Sequence, residues 1–214
     1  MRCVYETGSP PVLSRLGFRI YVGLLGVVLA FVLIQLDWGY VLDFEGRHLI
    51  GLGALLLLAI FSEYVSIPLK VGGLQGSYSI IFVLLYAGIF FLGPAGTTLV
   101  ALGANGFSEF IVRRKDFPRA SFHALQHGLS AAAGGLVFTA LGGIPTASGF
   151  EPNILAFVAF ALTYSTLNLA FAAVGIALHE DLKVLNVASR LSGKWGAALL
   201  YDVFVMPLAI AIAW

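Results

Sequence analysis

A few side chains able to carry charge or exchange a proton lie within otherwise apolar stretches of this 214-residue chain: Glu63, Glu109, His123, His127 and Asp202, with the amides Asn105 and Gln126 among them. Their spacing is helical. Asn105, Glu109 and Arg113 follow one another at i, i+4, which places them on one helix face. Arg119, His123 and His127 repeat that spacing further on, with Gln126 beside them. Glu63 precedes Lys70, and Asp202 follows Lys194. Each polar group therefore lies a short way inside a flanking cation, and the segments that carry them can converge on one polar pocket.

Three kinds of chemistry fit the set. In the first, carboxylates pair with histidines and flanking arginines and fix helix register. In the second, the pocket takes a ligand or senses protons, since histidine titrates near neutral pH. In the third, His123-x3-His127 with Glu109 and Glu63 chelates a metal, which the i, i+4 spacing permits. The HExxH order is absent, so no metal ligand is assigned. Asp202 equally reads as a span-end charge at the membrane interface. The sequence holds no GxSxG, no P-loop and no GxGxxG after a strand, so no catalytic residue is assigned and a non-enzymatic role is expected. Thr163, Tyr164, Ser165, Thr166 and Asn168 also fall in an apolar stretch, where such groups often bond their own helix. The cofactor is unknown.

The elements that position these residues follow from composition. Apolar residues make up 59% of the chain and charged residues 11%, with a mean hydropathy of +0.95. A soluble domain carries roughly 25% charged residues, so this composition excludes a soluble globular enzyme and a disordered tail. A net charge of +1 supplies no field for nucleic acid. The single cysteine, Cys3, excludes a disulfide framework and is at most a palmitoylation position. What remains is an all-α, polytopic membrane bundle whose first partner is the lipid bilayer.

A crossing helix needs about 20 mostly apolar residues. Ile20 to Leu36 forms span 1, followed by an interfacial turn at Asp37 to Tyr40. Span 2 runs from Leu49 to about Ile67. The 38 residues from Val71 to Ser108 carry no charge. As one helix they would rise about 57 Å, nearly twice the hydrocarbon core. They must fold back at Gly93-Pro94, giving span 3 over Tyr78 to Leu92 and span 4 over Ala95 to Val112. The segment IPLKVGGLQGSYS before them reads as a loop or re-entrant piece. Arg113 to Arg119 is a basic loop. Span 5 covers Ala120 to Leu141, span 6 Ile154 to Leu178 and span 7 Gly196 to Trp214. A polar connector or amphipathic interfacial helix lies between the last two. Gly128 with Ala132 and Ala131 with Gly135 form small-xxx-small pairs, which suit packing inside the bundle or a homodimer.

These assignments give a tail at 1–19 and one bundle at 20–214. With the N-terminus in the cytoplasm, eleven of the twelve lysines and arginines fall on the cytoplasmic side; only Arg47 does not. Lysine and arginine bias sets orientation, so the chain is expected to be a multi-pass inner-membrane protein. Seven spans leave Trp214 outside, and the chain is expected to be the front part of a longer protein.

The segment SIPLKVGGLQGSYSIIFVLLYAGIFFLGPAGTTLVALGANGFSEFIVRR shows a proline, a Gly-Gly turn, a Gly-Pro break and a span ending in an acid and arginines. These are Pro68, Gly72 with Gly73, Gly93 with Pro94, and Glu109 with Arg113 and Arg114. In this it resembles the N-terminal multi-span membrane sensor domains of bacterial HD-GYP and GGDEF signalling proteins. Gln126 and Ser130 match polar positions of that pattern; His123 departs from the asparagine expected there. The resemblance covers roughly residues 48 to 214. It implies an input module that binds a small ligand or senses pH or membrane state, coupled to a cytoplasmic signalling domain or a membrane partner subunit. A weaker resemblance, in the small-residue span, the Gly-Pro break and the Gly-rich helix after it, is to substrate-binding subunits of energy-coupling-factor vitamin transporters. A structural subunit of a larger complex is the third expectation.

Overall fold

The computed structural model describes residues 12–42, 46–65, 67–71, 74–78, 80–145 and 153–192. The expected seventh span, with Asp202, lies outside the described residues. Helix α1 runs from Val12 to Gln35, starting earlier than the expected Ile20. One stripe of it, Phe18, Val22, Leu25 and Leu29, is buried against the rest of the chain. The opposite face is no more polar: Leu24, Val27, Phe31 and Ile34 are all exposed. A helix apolar on every side belongs in a core or in lipid. The expected interfacial turn holds a one-turn helix, α2 (Gly39–Leu42), and Trp38 Nε1 donates back to the Leu33 carbonyl at 2.7 Å.

Helix α3 (Gly46–Tyr64) leads into an antiparallel hairpin, β1 (Ile67–Val71) and β2 (Leu74–Tyr78), in the register Ile67↔Tyr78 to Val71↔Leu74. This corrects the reading of the segment as a loop or re-entrant piece, and adds one hairpin to the all-α class. The physical reason is local. Two runs holding β-branched and aromatic residues flank Gly72-Gly73, a pair that favours two-residue hairpin loops.

Helix α4 (Ile81–Phe91) is buried along all but its last residue. It ends where the Gly-Pro pair requires. The Leu92 amide closes onto the Gly88 carbonyl at 2.7 Å, Gly93 takes φ +67°, and Pro94 falls in the first turn of α5 (Gly93–Phe107). Glycine adopts the left-handed turn without a Cβ clash, and a first-turn proline loses no needed donor. Helix α5 continues into a π turn, Ser108–Val112, where the Arg113 amide reaches the Ser108 carbonyl five residues back at 2.8 Å.

Helix α6 (Phe117–Ala140) is central, packed by α1, α5 and α7. Its small residues allow α5 to come close: a Cβ on Gly128 would stand 2.3 Å from Leu102 Cδ2, and one on Gly135 2.7 Å from Pro94 Cβ. The small-xxx-small stripe is thus filled by α5 of the same chain. Asn153 caps α7 (Ile154–Glu180) by accepting from the Ala156 amide at 3.0 Å, while its Nδ2 donates to the Leu141 carbonyl at 2.8 Å and ties α7 to the end of α6. After Asp181 (φ 54°) the chain folds back as α8 (Val184–Ser192). The apolar stripe of α8 packs on Ala173 and Ala177 of α7 through a fully buried Val187, so the amphipathic connector docks on its own chain.

Two described helices are long and apolar enough to cross a membrane, over Arg15–Gln35 and Ile154–Glu180; Leu49–Tyr64 and α4 are apolar but shorter. Of the seven expected spans, two are matched by full-length apolar helices among the described residues. At 11 residues α4 rises about 16 Å, half a crossing. Helix α6 carries Arg119, His123, Gln126 and His127 within its length.

Candidate functional site

The packing brings α3, the π turn and α7 to one end of the bundle, where α1 and α6 begin. Glu63 lies in the last turn of α3 and Glu109 in the π turn; both are buried, at 6% and 1% exposure. Arg113 joins them. Its Nη1 donates to Glu109 Oε1, and its Nη2 donates to Glu63 Oε2 at 3.0 Å and to the Glu63 carbonyl at 3.1 Å. Lys115 Nζ pairs with Glu109 Oε2 at 2.5 Å. Two buried carboxylates thus meet two partly exposed cations, and the cluster is neutral. Buried charges are tolerated when they are paired in this way.

The π turn makes this geometry possible. Glu109 is buried within the turn, and past the left-handed residue Arg114 (φ 49°) the Lys115 amide donates to the Glu109 carbonyl at 3.0 Å, which returns Lys115 to the carboxylate. π bulges inside helices are frequent at functional positions.

His123 and His127 extend the set along α6. His123 packs its ring on Phe122 at 5.4 Å and lies within coulombic range of Glu109, Lys115 and His127. His127 Nδ1 shares a 2.7 Å hydrogen bond with the Tyr164 hydroxyl of α7. Gln126 bonds α7 as well, its Nε2 donating to the Asn168 carbonyl at 2.9 Å and to Asn168 Oδ1 at 2.6 Å. Among the described residues the buried Gln126 Oε1 has no hydrogen-bond partner. Asn105 stays with its own helix, donating to the Ala101 carbonyl at 2.9 Å. Tyr86 of α4 closes the line through a 3.0 Å bond to Ser165.

The structure therefore joins Glu63 to Glu109 and sets the two histidines on the side of α6 nearest Glu109. It links Gln126 and His127 to α7 and leaves Asn105 bonded within α5. Lys115 joins the network from the segment read as a basic loop, and Tyr164 and Asn168, read from the sequence as bonding their own helix, bond across to α6 instead. Nothing in local spacing announces a partner on another helix. Among the described residues no three of His, Cys, Asp and Glu gather closely enough to hold a metal ion. Comparisons of the chain with family models, with curated proteins and with solved structures gave no match.

Proposed function

We propose that this chain is a multi-span, non-enzymatic input domain of the inner membrane, with its charged end in the cytoplasm. A change of protonation, or a small ligand at that end, alters the packing of α3, the π turn and α6, and passes to a signalling domain or partner subunit. The observation that carries this reading is the neutral cluster of Glu63, Arg113, Glu109 and Lys115, whose two carboxylates are buried beside two histidines. Four charges held at a helix junction form a two-state element, because protonating one of the buried carboxylates leaves its partner cation unpaired. Exposed apolar side chains support the membrane setting, among them Leu57, Leu58 and Phe61 on α3 and Leu155 and Leu162 on α7.

The test uses the protein reconstituted in nanodiscs. Its thermal midpoint is expected to fall as the pH is lowered from about 8 to about 4, and a His123→Ala/His127→Ala variant is expected to lose that shift. An unchanged shift in the double variant reduces the histidines to packing and removes proton sensing.

A second reading, a substrate-binding subunit of a small-molecule transporter, is favoured by α4. Half-length helices joined to irregular segments are how transporter folds build sites near the bilayer midplane. Purification with an ATPase and a coupling subunit would decide for it.

A further inference from the structure

The charged end carries a second feature, apart from the buried cluster. Arg15, Arg19, Arg114, Arg119, Lys183 and Arg190 are exposed there, against the exposed acids Asp116, Glu180 and Asp181. The cations do not spread evenly. Arg119 Nη2 lies 2.7 Å from His179 Nε2, and Arg15 lies within coulombic range of the same imidazole. The floor beneath is aromatic: the Phe18 ring stands 5.3 Å from His179 and 5.5 Å from Phe122. With Nε2 accepting from Arg119, His179 keeps an N–H at Nδ1. The only described acid paired with Arg119 is Asp116, at 3.3 Å and more than half exposed. Surface pairs of that kind are weak, so a stronger anion can displace it.

We propose that this notch between α1, α6 and α7 binds the phosphate headgroup of an anionic phospholipid through Arg15, Arg119 and His179. A doubly forked, cationic rim matches phosphate oxygens. The choice of a lipid over a free anion follows from the neighbouring surface. On α1, Arg15 and Arg19 are interleaved with Leu16 and Ile20, each 55% exposed. A molecule that meets both kinds of residue is an amphiphile.

The inference rests on the membrane reading above, which flotation with phosphatidylcholine vesicles tests by itself. Protein that floats on those vesicles yet ignores anionic lipid fails only here. Detergent-solubilised protein is titrated with phosphatidylglycerol or with phosphatidylcholine, and lipid retention is read by native mass spectrometry alongside the thermal midpoint. Phosphatidylglycerol is expected to be retained and to raise the midpoint, with an effect that weakens in salt; phosphatidylcholine is expected to do neither. The Arg15→Gln/Arg119→Gln variant should need roughly twenty-five times more phosphatidylglycerol, about fivefold per cation. The Arg15→Lys/Arg119→Lys variant, with its charges kept, should lose much less. Equal retention of the two lipids by the wild type overturns the proposal even if the glutamine variant does not fold. So does a lysine variant as impaired as the glutamine one, or inorganic phosphate alone reproducing the shift.

Discussion

The two ends of the bundle are held together by different physics. At one end α4, α6 and α7 meet through rings: Phe90 and Phe157 centroids are 4.8 Å apart, and Phe90 meets Phe138 edge-on at 6.0 Å. The α4–α5 turn and the α5–α6 contact close this end with Pro94 against Gly135. Such a region has one good arrangement, since interiors pack like crystals and tolerate neither voids nor excess. At the other end Glu63, Glu109, Arg113 and Lys115 meet through charge. That arrangement depends on protonation, salt and any bound ion. The contrast teaches that a change of charge acts first on the end held by ion pairs, since the rings at the other end carry none.

The largest test removes the bridge. Arg113→Gln leaves Glu63 and Glu109 short of a counter-charge in a buried place, and should destabilise the bundle by about 3–5 kcal/mol in a denaturant titration. If Arg113→Gln costs no more than an exposed substitution, the charged end is not held by these pairs and the contrast fails. A smaller loss, about 1–3 kcal/mol, is expected for Gly135→Ala, whose new methyl would press on Pro94. That loss should be the same at high and low salt, whereas the loss at Arg113 should not. The smallest effect is a gain. Thr97 is fully buried and its hydroxyl has no hydrogen-bond partner among the described residues, unlike Thr98, which donates to the Pro94 carbonyl at 2.8 Å. Thr97→Val should therefore stabilise by about 1 kcal/mol. A loss on that substitution would mean that the aromatic end is wetter than its packing implies.

Much of this was legible in the residues. Gly93-Pro94 marks the reversal between α4 and α5 because both residues are restricted by their own covalent geometry. The expected spans Ala120 to Leu141 and Ile154 to Leu178 fall within three residues of the limits of α6 and α7 at both ends, the first turn of α6 lying in the segment read as a basic loop. The i, i+4 spacing of Glu109 and Arg113 foretells their pairing, for the same reason that it does on any helix. The rest depends on what lies across a gap. No local pattern says that Gln126 meets Asn168, that His127 meets Tyr164, or that Glu63 shares Arg113 with Glu109 from fifty residues away. The hairpin at Ile67–Tyr78 had a signal, Gly72-Gly73 between β-forming runs. The apolar context drew the segment towards a membrane reading instead.

One consequence of the π turn concerns motion along the chain. A stretch hydrogen-bonded i to i+5 holds one residue more than the same rise of α-helix needs. That surplus can be handed on: if the wide turn moves one position along the chain, the residue it leaves rejoins a regular helix and swings by about 100°. Glu109 sits inside that stretch and Arg113 directly after it. A single-step slide would carry the acid away from Glu63's bridge without lengthening or shortening α5, a screw with a fixed pitch at the end of an otherwise rigid rod.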